Sequence, residues 1–173
     1  MTQPNHLPNP RHLRNLWSLL VVLTLLLTLA LAAWWNFRRR PAPVAGPFDG
    51  ARAFEFARAQ MDYGPRPTGS EANRQTGDFI LRSLRDSGWQ ASTHEFTYQQ
   101  TRGRNLIGEA GQGPIMLIGA HYDTRRRADR DSLDPAAPVP GANDGASGVA
   151  VLLELARSLD KSALRNTVWL VFF

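Results

Sequence analysis

The chain has 173 residues, of which 43% are apolar and 20% charged, so it can hold one globular domain and an extension. It contains no cysteine, which excludes disulfide bonds, thiolate metal sites and a cysteine nucleophile. Its 20 basic residues outnumber its 15 acidic ones and are nearly all arginines. These arginines are scattered or flank an apolar segment, and no base-reading motif accompanies them. We therefore expect no nucleic-acid partner.

The N-terminal part of the sequence predicts a tail followed by a membrane anchor. Residues 1–15 are rich in Pro, Asn and His and are typical of a disordered tail. Residues 16–37 are predominantly apolar and carry tryptophans near both ends. About 20 apolar residues cross a bilayer as a helix, and tryptophan favours the headgroup regions. We expect a single-pass anchor in the lipid bilayer. The alternatives are a signal peptide cleaved near residues 30–32 and a buried helix.

Arginines on both sides of this segment leave its orientation open. Arg11 and Arg14 precede it, and residues 38–40 are three consecutive arginines. Positive-charge counting would place the larger cluster in the cytoplasm. The usual arrangement of a signal anchor instead places the folded part outside, and we expect this extracytoplasmic location. An Arg/Pro-rich linker at residues 38–48 joins the two parts and is semi-rigid by composition.

From residue 49 onward the pattern is that of an α/β domain. Apolar residues at helical spacing predict three helices, at residues 49–62, between Ser70 and Gly88, and at residues 148–159. Strand patterns occupy residues 91–98, 105–109, 115–120 and 167–173. The last two strands are continuous apolar runs, which predicts burial on both faces. This order favours a mixed, mostly parallel sheet flanked by helices.

His121 and Asp123 directly follow the apolar strand at residues 115–120. Ligands of α/β sheets bind beyond the carboxyl ends of strands, and residues two apart in an extended chain point to one side. An imidazole can bind zinc through one nitrogen while the other donates to a carboxylate. The alternative interpretation is a histidine packed at the strand end and capped by Asp123.

Asp144 lies in the glycine-rich segment 141–148, which opens the helix at residues 148–159. Glycines permit left-handed backbone and a close approach to a bound group. Alone, Asp144 or Ser147 could simply cap that helix. Together with His121, however, the carboxylate of Asp144 forms a pair of ligand types that suits Zn²⁺.

The sequences LIGAHYDTR, PVPGANDGASGVAVLLELARSLD and NTVWLVFF resemble metallopeptidase family 28, the zinc aminopeptidases and their glutaminyl-peptide cyclotransferase relatives. The resemblance covers residues 49–173 and implies the N-terminal part of a zinc-exopeptidase fold of the phosphorylase/hydrolase-like type. It implies metal-ligand positions for Asp144 and His121, with Asp123 orienting His121. In the aminopeptidases the His121 position binds one of two zincs and the Asp144 position bridges both. In the cyclotransferases a single zinc is bound at the Asp144 position and not at the His121 position.

The resemblance implies two alternative reactions, both at the free N-terminus of a peptide or protein. The loop at residues 125–140 resembles the bacterial glutaminyl-cyclase-like branch, which favours conversion of N-terminal Gln to pyroglutamate over hydrolysis of N-terminal residues. The acidic pair of the family and its remaining zinc ligands would lie beyond Phe173. We therefore assign no catalytic residue and expect this truncated polypeptide to be inactive. A non-catalytic, membrane-anchored fragment is the third alternative. We also expect the strand at residues 167–173 to be an exposed edge, with marginal stability as the consequence.

Overall fold

The computed structural model describes residues 10–38 and 45–173. They belong to two compact units, Met1–Pro41 and Ala42–Phe173. Most of the predicted tail, residues 1–9, and the central part of the predicted linker, residues 39–44, lie outside the described residues.

The first unit contains one long helix, α1, which spans Pro10–Arg38. The helix includes residues 10–15, where the sequence predicted a disordered tail. A proline is tolerated at the first helical position, because the backbone N–H missing there has no partner within the helix in any case. In the part of the chain that the structure describes, no helix combines the length and the apolar character needed to cross a membrane.

The second unit consists of three helices and four strands, and every element predicted from residue 49 onward is present. In chain order these are α2 (Gly50–Met61), α3 (Glu71–Asp86), β1 (Gln90–Tyr98), β2 (Thr101–Ala110), β3 (Ile115–Ala120), α4 (Gly148–Ser158) and β4 (Thr167–Phe172). A distorted helical turn over Ala142–Ser147 leads into α4, and a short 3-10 turn at Lys161–Ala163 follows it.

Side-chain caps fix where α2 and α3 begin. The carboxylate of Asp49 accepts hydrogen bonds from the backbone N–H groups of Ala51 and Arg52 at 2.9 and 3.2 Å. The hydroxyl of Ser70 accepts one from the N–H of Asn73 at 3.1 Å. These N–H groups have no partner within their helices, so each cap stabilises its helix by about 1 kcal/mol. The predicted cap at Ser70 is confirmed.

The four strands form one mixed sheet in the order β1-β2-β4-β3. β1 and β2 are antiparallel, β2 and β4 are antiparallel, and β3 is parallel to β4. The prediction of an exposed edge at residues 167–173 is wrong, because β4 pairs on both sides. Within residues 45–173 only one of the three strand pairings is parallel, so the prediction of a mostly parallel sheet is also wrong there.

β3 is an edge strand of this sheet, and its side chains are more exposed than the sequence predicted. Ile115, Met116 and Leu117 are 59%, 50% and 56% exposed. The prediction of burial on both faces is wrong for β3, which in the described part of the chain lies at the edge of the sheet with β4 as its one neighbouring strand. The result is an apolar patch beside an open strand edge.

The helices pack against the sheet and enclose the core. α3 contacts β1 and β2, α4 contacts β3 and β4, and α2 packs on α4. The side chains of Leu84, Leu106, Leu153, Leu170 and Phe172 are each at most 1% exposed. Burying one such side chain contributes about 1.5–3 kcal/mol, so this core holds the carboxyl ends of β3 and β4 in place.

Candidate metal centre

The backbone at the end of β3 directs His121 to the surface. The N–H of Tyr122 donates to the carbonyl of Phe173, and the N–H of Phe173 donates to the carbonyl of Ala120, both at 3.1 Å. The side chain of Tyr122 is 1% exposed, and its hydroxyl donates to the carbonyl of Arg104 at 3.0 Å. Because Tyr122 points inward, the side chains before and after it, His121 and Asp123, share the opposite side, as predicted from their spacing.

Asp144 reaches this side from the turn before α4. Its backbone is not helical, with φ −106° and ψ 96°, and its carboxylate Oδ1 lies 2.7 Å from Nε2 of His121. The carboxylate thus faces the imidazole, while the Ser147 hydroxyl donates to the carbonyl of Asn143. Neither side chain caps α4. The structure therefore brings together the two predicted metal-ligand positions.

A glycine next to Asp144 allows this approach. A Cβ atom on Gly145 would lie 2.3 Å from the carbonyl oxygen of His121 and 2.8 Å from its ring. The first contact is with backbone, which cannot move without displacing the end of β3. Gly145 therefore lets the turn that carries Asp144 approach His121, whereas the predicted approach to a bound group stays a prediction.

Asp123 holds the other side of the His121 ring. Its Oδ1 lies 3.1 Å from Nδ1 of His121, and its Oδ2 accepts a hydrogen bond from the hydroxyl of Thr68 at 2.8 Å. With both oxygens in use, the carboxylate has one orientation, and it favours a proton on Nδ1 of His121. This is the arrangement predicted for Asp123.

The two carboxylates also change the acidity of the imidazole. Burial, the largest single influence, lowers the pKa of His121, but hydrogen bonds and charges from Asp123 and Asp144 together raise it above its ordinary value. The cationic form is therefore retained to a higher pH than in a free histidine. A metal bound at Nε2 would have to displace this proton, so metal binding and proton release are coupled.

Sequence reasoning missed two residues that support the site, Arg66 and Thr68. Both lie in a turn cluster, residues 64–70, that the sequence identifies only as a connection between helices. Arg66 is fully buried, and burial lowers its pKa while the charge of Asp123 raises it. The sequence contains one indication of a special role for Arg66. An arginine between two prolines cannot pair with a charge on a helix face, but the sequence does not show where its side chain points.

The types of ligand atom at this centre suit zinc, but their number is only about half of what a zinc site needs. An imidazole nitrogen and a carboxylate oxygen bind Zn²⁺ at about 2.0–2.2 Å, so tetrahedral ligands lie about 3.3 Å apart. Nε2 of His121 and Oδ1 of Asp144 are 2.7 Å apart and would have to separate slightly. Among the described residues, no group of three or more His, Cys, Asp or Glu side chains could hold a metal ion. The pair therefore supplies at most two of the three or four ligands zinc requires.

A cavity of about 180 Å³ adjoins the site. His121, Asp123, Phe96, Asn105 and Phe173 are among the residues that line it. Aromatic rings next to an amide suit a small side chain that has both apolar and polar atoms.

Comparison with known proteins places the site in a family context. Residues 105–173, which include His121, Asp123 and Asp144, match the sequence model of peptidase family M28. The uncharacterized protein YfbL of Escherichia coli is 34% identical over 101 residues, which cover 57% of this chain and 30% of YfbL. A probable zinc metalloprotease of Leptosphaeria maculans is 43% identical over 54 residues, covering 31% of this chain and 12% of the relative.

Solved structures resemble the chain over a larger part. The glutaminyl cyclase of Porphyromonas gingivalis has 33% identity and a TM-score of 0.68, covering 75% of this chain and 48% of the cyclase. A leucine aminopeptidase precursor of Bacteroides thetaiotaomicron has 30% identity and a TM-score of 0.67, with the same two coverages. The chain thus spans less than half of each of these relatives. The predicted resemblance to family 28 is confirmed, and the mixed sheet with flanking helices resembles the fold of a Zn-dependent exopeptidase.

Proposed function

We propose that this chain, whose residues 105–173 match peptidase family M28, contributes to a zinc-dependent enzyme acting at peptide N-termini. The observation that carries the proposal is the 2.7 Å approach of His121 Nε2 to Asp144 Oδ1 beyond the carboxyl end of β3. Asp144 would bind the metal, and His121 would bind it as well or lie next to it. Asp123 would fix the orientation of the imidazole. Zinc bound there would polarise the carbonyl of the amide that reacts.

For the reaction we propose cyclisation of N-terminal Gln to pyroglutamate. The α-amine of the substrate attacks its own side-chain amide, ammonia leaves, and the intramolecular geometry lowers the entropic cost. Two observations support this choice: the likeness to a glutaminyl cyclase and the sequence of the loop at residues 125–140. The contact between His121 and Asp144 is a third supporting observation. Because Nε2 of His121 already contacts Asp144, the arrangement suits a single zinc bound by the carboxylate and not by the imidazole.

Aminopeptidase activity is the second candidate, favoured by the likeness to a leucine aminopeptidase precursor. In that case His121 would bind one of two zincs directly. The two candidates differ in a measurable way. A His121→Ala substitution should lower zinc affinity at least tenfold if His121 is a ligand, and by less than about threefold if the zinc is held at Asp144 alone.

The zinc part of the proposal is tested by adding Zn²⁺ to the 173-residue chain and following the ring ¹⁵N resonances of His121. We expect these resonances to move on addition of zinc and to stay unchanged in an Asp144→Asn variant. Unchanged His121 resonances in the unsubstituted chain at millimolar zinc would contradict the proposal. The exposed His94 on β1 serves as an internal control for nonspecific binding.

The reaction is tested with a peptide that begins with Gln. Ammonia with a pyroglutamyl product identifies cyclisation, and free Gln identifies hydrolysis. For the 173-residue polypeptide by itself we propose no turnover, because its described residues present two metal-facing side chains where a catalytic zinc needs three protein ligands. Either product from this polypeptide would overturn that expectation and identify the reaction directly. The non-catalytic alternative requires that neither product forms.

We further propose that residues 16–37 anchor the protein in a lipid bilayer with residues 45–173 outside the cytoplasm. The apolar sequence of residues 16–37 supports the anchor. So do the hydroxyls of Thr24 and Thr28, which donate to the carbonyls of Leu20 and Leu25, because a hydroxyl in a bilayer needs a partner within the protein. Reporter fusions after Phe173 test the orientation. A reporter that works only in the cytoplasm should be inactive, and its activity would contradict the proposal.

A further inference from the structure

Arg66 is a buried cation whose partners are backbone carbonyls. Its side chain is completely inaccessible to solvent. Among the described residues, the guanidinium donates to five carbonyl oxygens: those of Gly64 (2.9 Å), Gly141 (3.0 Å), Pro140 (3.1 Å), Gln60 (3.2 Å) and Tyr122 (3.4 Å). Carbonyl dipoles therefore replace the water that the cation loses on burial.

Such an arrangement is costly unless the carbonyls are held in place. Removing a guanidinium from water without a paired carboxylate carries a large desolvation penalty, which only well-aimed acceptors offset. The dependence works in both directions. The cation is stable only while these loops keep their carbonyls pointing inward, and the loops keep that conformation because the cation binds them.

The carbonyls come from both segments that carry the candidate metal ligands. Tyr122 stands between His121 and Asp123, whereas Pro140 and Gly141 begin the turn that carries Asp144. Nε of Arg66 donates to the first segment, and its Nη1 and Nη2 donate to the second. The planar fork of one guanidinium thus spans the two loops.

The backbone of Arg66 reinforces the link. Its N–H donates to the hydroxyl of Thr124 at 2.8 Å, and its carbonyl accepts the N–H of Thr124 at 3.1 Å. Gly141, in the segment that leads to Asp144, packs closely against Thr124. It has a φ of +69°, and a Cβ there would lie 2.3 Å from Cγ2 of Thr124 and 2.6 Å from the carbonyl oxygen of Asp144. Only a glycine lets the turn carrying Asp144 come so close to the segment carrying His121.

We infer that Arg66 is a positioning residue that sets the separation of His121 and Asp144. A lysine would not substitute for it, because an ammonium group is a point charge without the planar fork that reaches both loops. The effect on zinc rests on the proposed function. The effect on the His121–Asp144 contact does not, and this difference allows the two ideas to be tested separately.

The test compares Arg66→Lys with the unsubstituted 173-residue chain in detergent. The control is Glu154→Gln, which alters a buried charge on α4 that contacts neither loop. Three quantities are measured: the thermal unfolding midpoint, the ring ¹⁵N resonances of His121 without metal, and Zn²⁺ affinity. We expect both variants to unfold at lower temperature. We expect only Arg66→Lys to shift the His121 resonances and to weaken zinc binding by about tenfold or more.

The outcomes separate the inference from the proposed function. If the His121 resonances shift in Arg66→Lys while the unsubstituted chain binds no zinc, the positioning role stands and the zinc site fails. If zinc binds and Arg66→Lys changes neither its affinity nor the His121 resonances, the positioning role is overturned. If Glu154→Gln changes the resonances as much as Arg66→Lys does, the effect is one of general stability and the inference is overturned as well.

A milder variant covers the case in which Arg66→Lys does not fold. Thr124→Val keeps the side-chain volume and removes the hydroxyl that accepts the Arg66 N–H. We expect the His121 resonances to shift from those of the unsubstituted chain and the zinc affinity to fall by about threefold. Resonances and affinity identical to those of the unsubstituted chain would overturn the inference.

Discussion

His121 and Asp144 lie on separate loops, yet Nε2 of one is 2.7 Å from Oδ1 of the other. Three features of the fold produce this contact. β3 ends at Ala120, so His121 follows at its carboxyl end. Asp144 lies before α4 in a non-helical conformation, and Gly145 leaves room for the approach of the two side chains. Each of them can be altered separately.

Replacing the charge of Asp144 should weaken metal binding. Asp144→Asn keeps the shape of the side chain but removes the anionic oxygen that zinc prefers, so we expect the Zn²⁺ affinity to fall at least tenfold. Affinity should also rise with pH in the unsubstituted chain, because the carboxylates raise the pKa of His121 and the metal must displace its proton. Calorimetry at several pH values measures both effects. Asp129→Asn, at an exposed carboxylate paired with Arg125, should change neither.

A bulkier residue at position 145 should separate the two side chains. Gly145→Ala places a Cβ 2.3 Å from the carbonyl oxygen of His121, so the turn must shift. We expect a loss of about 1–3 kcal/mol in the free energy of unfolding and altered His121 ring resonances. Gly50→Ala is the matched control, because nothing lies within 4 Å of its added Cβ. A Gly145→Ala variant as stable as the control would show that the turn tolerates the methyl group.

The hydroxyl of Thr68 should matter for the orientation of Asp123. Thr68→Val removes the 2.8 Å hydrogen bond to Oδ2 and leaves the carboxylate free to rotate away from His121. We expect a loss of about 1 kcal/mol in stability and broader His121 ring signals. Thr93→Val makes the same change on an exposed position of β1 and should have neither effect. Denaturant titration and NMR distinguish the two variants.

Acid should destabilise residues 45–173 in part through Glu154, which is buried on α4. Hydrogen bonds from Arg157 are the largest influence and hold the pKa of its carboxyl below the ordinary value, against burial, which raises it. The backbone N–H of Asp49 also donates to it, at 2.9 Å. Since the folded pKa is lowered, this stabilisation is present above the ordinary pKa of about 4.3 and is lost as pH falls through the folded value.

Glu154→Gln tests this pH dependence. Removing the carboxylate leaves the N–H of Asp49 and the guanidinium of Arg157 without this anionic acceptor, so we expect a loss of about 1–3 kcal/mol near neutral pH. The dependence of stability on pH below about 4.5 should become flatter, because one carboxyl no longer titrates. Glu55→Gln, at an exposed pair with Arg58, should change stability by less than about 1 kcal/mol. Equal pH profiles for Glu154→Gln and the unsubstituted chain would contradict the assignment.

The open edge of β3 should promote self-association. Leu117 is 56% exposed, next to other apolar residues on a strand that is unpaired on one side in the described chain. Leu117→Lys places a charge there, which opposes edge-to-edge pairing, so we expect less oligomer in detergent. Light scattering measures the change. Leu133→Lys alters a residue that is 94% exposed on a loop and should leave association unchanged.

Features governed by neighbouring residues could be predicted from the sequence. The Ser70 cap, the start of α4 at Gly148 and the β3 segment Ile115–Ala120 follow from local periodicity and from side chains that bond within one turn. His121 and Asp144 could be proposed as a pair for a related reason. His121 lies at the end of a strand and Asp144 lies just before a helix. Both positions and both side-chain types can be identified directly from the sequence.

Features that depend on which segments meet across the fold could not be predicted. Nothing in the composition of β4 indicates that β2 and β3 pair on its two sides, so an edge strand was expected where an interior one lies. Arg66 and Glu154 would be placed at the surface by their charge alone. Arg66 is buried because distant carbonyls replace the water it loses, and Glu154 is buried against Arg157 and the distant N–H of Asp49.

The sequence by itself thus determined the helices and strands from residue 49 onward, the family resemblance and the two side chains that we propose as metal ligands. Only the tertiary structure decided that they meet at 2.7 Å and that one buried arginine binds the loops carrying both. The physical reason is the range of the interactions. Periodicity and capping act within a few residues, whereas Arg66 gains its acceptors only after three separate segments have packed around it.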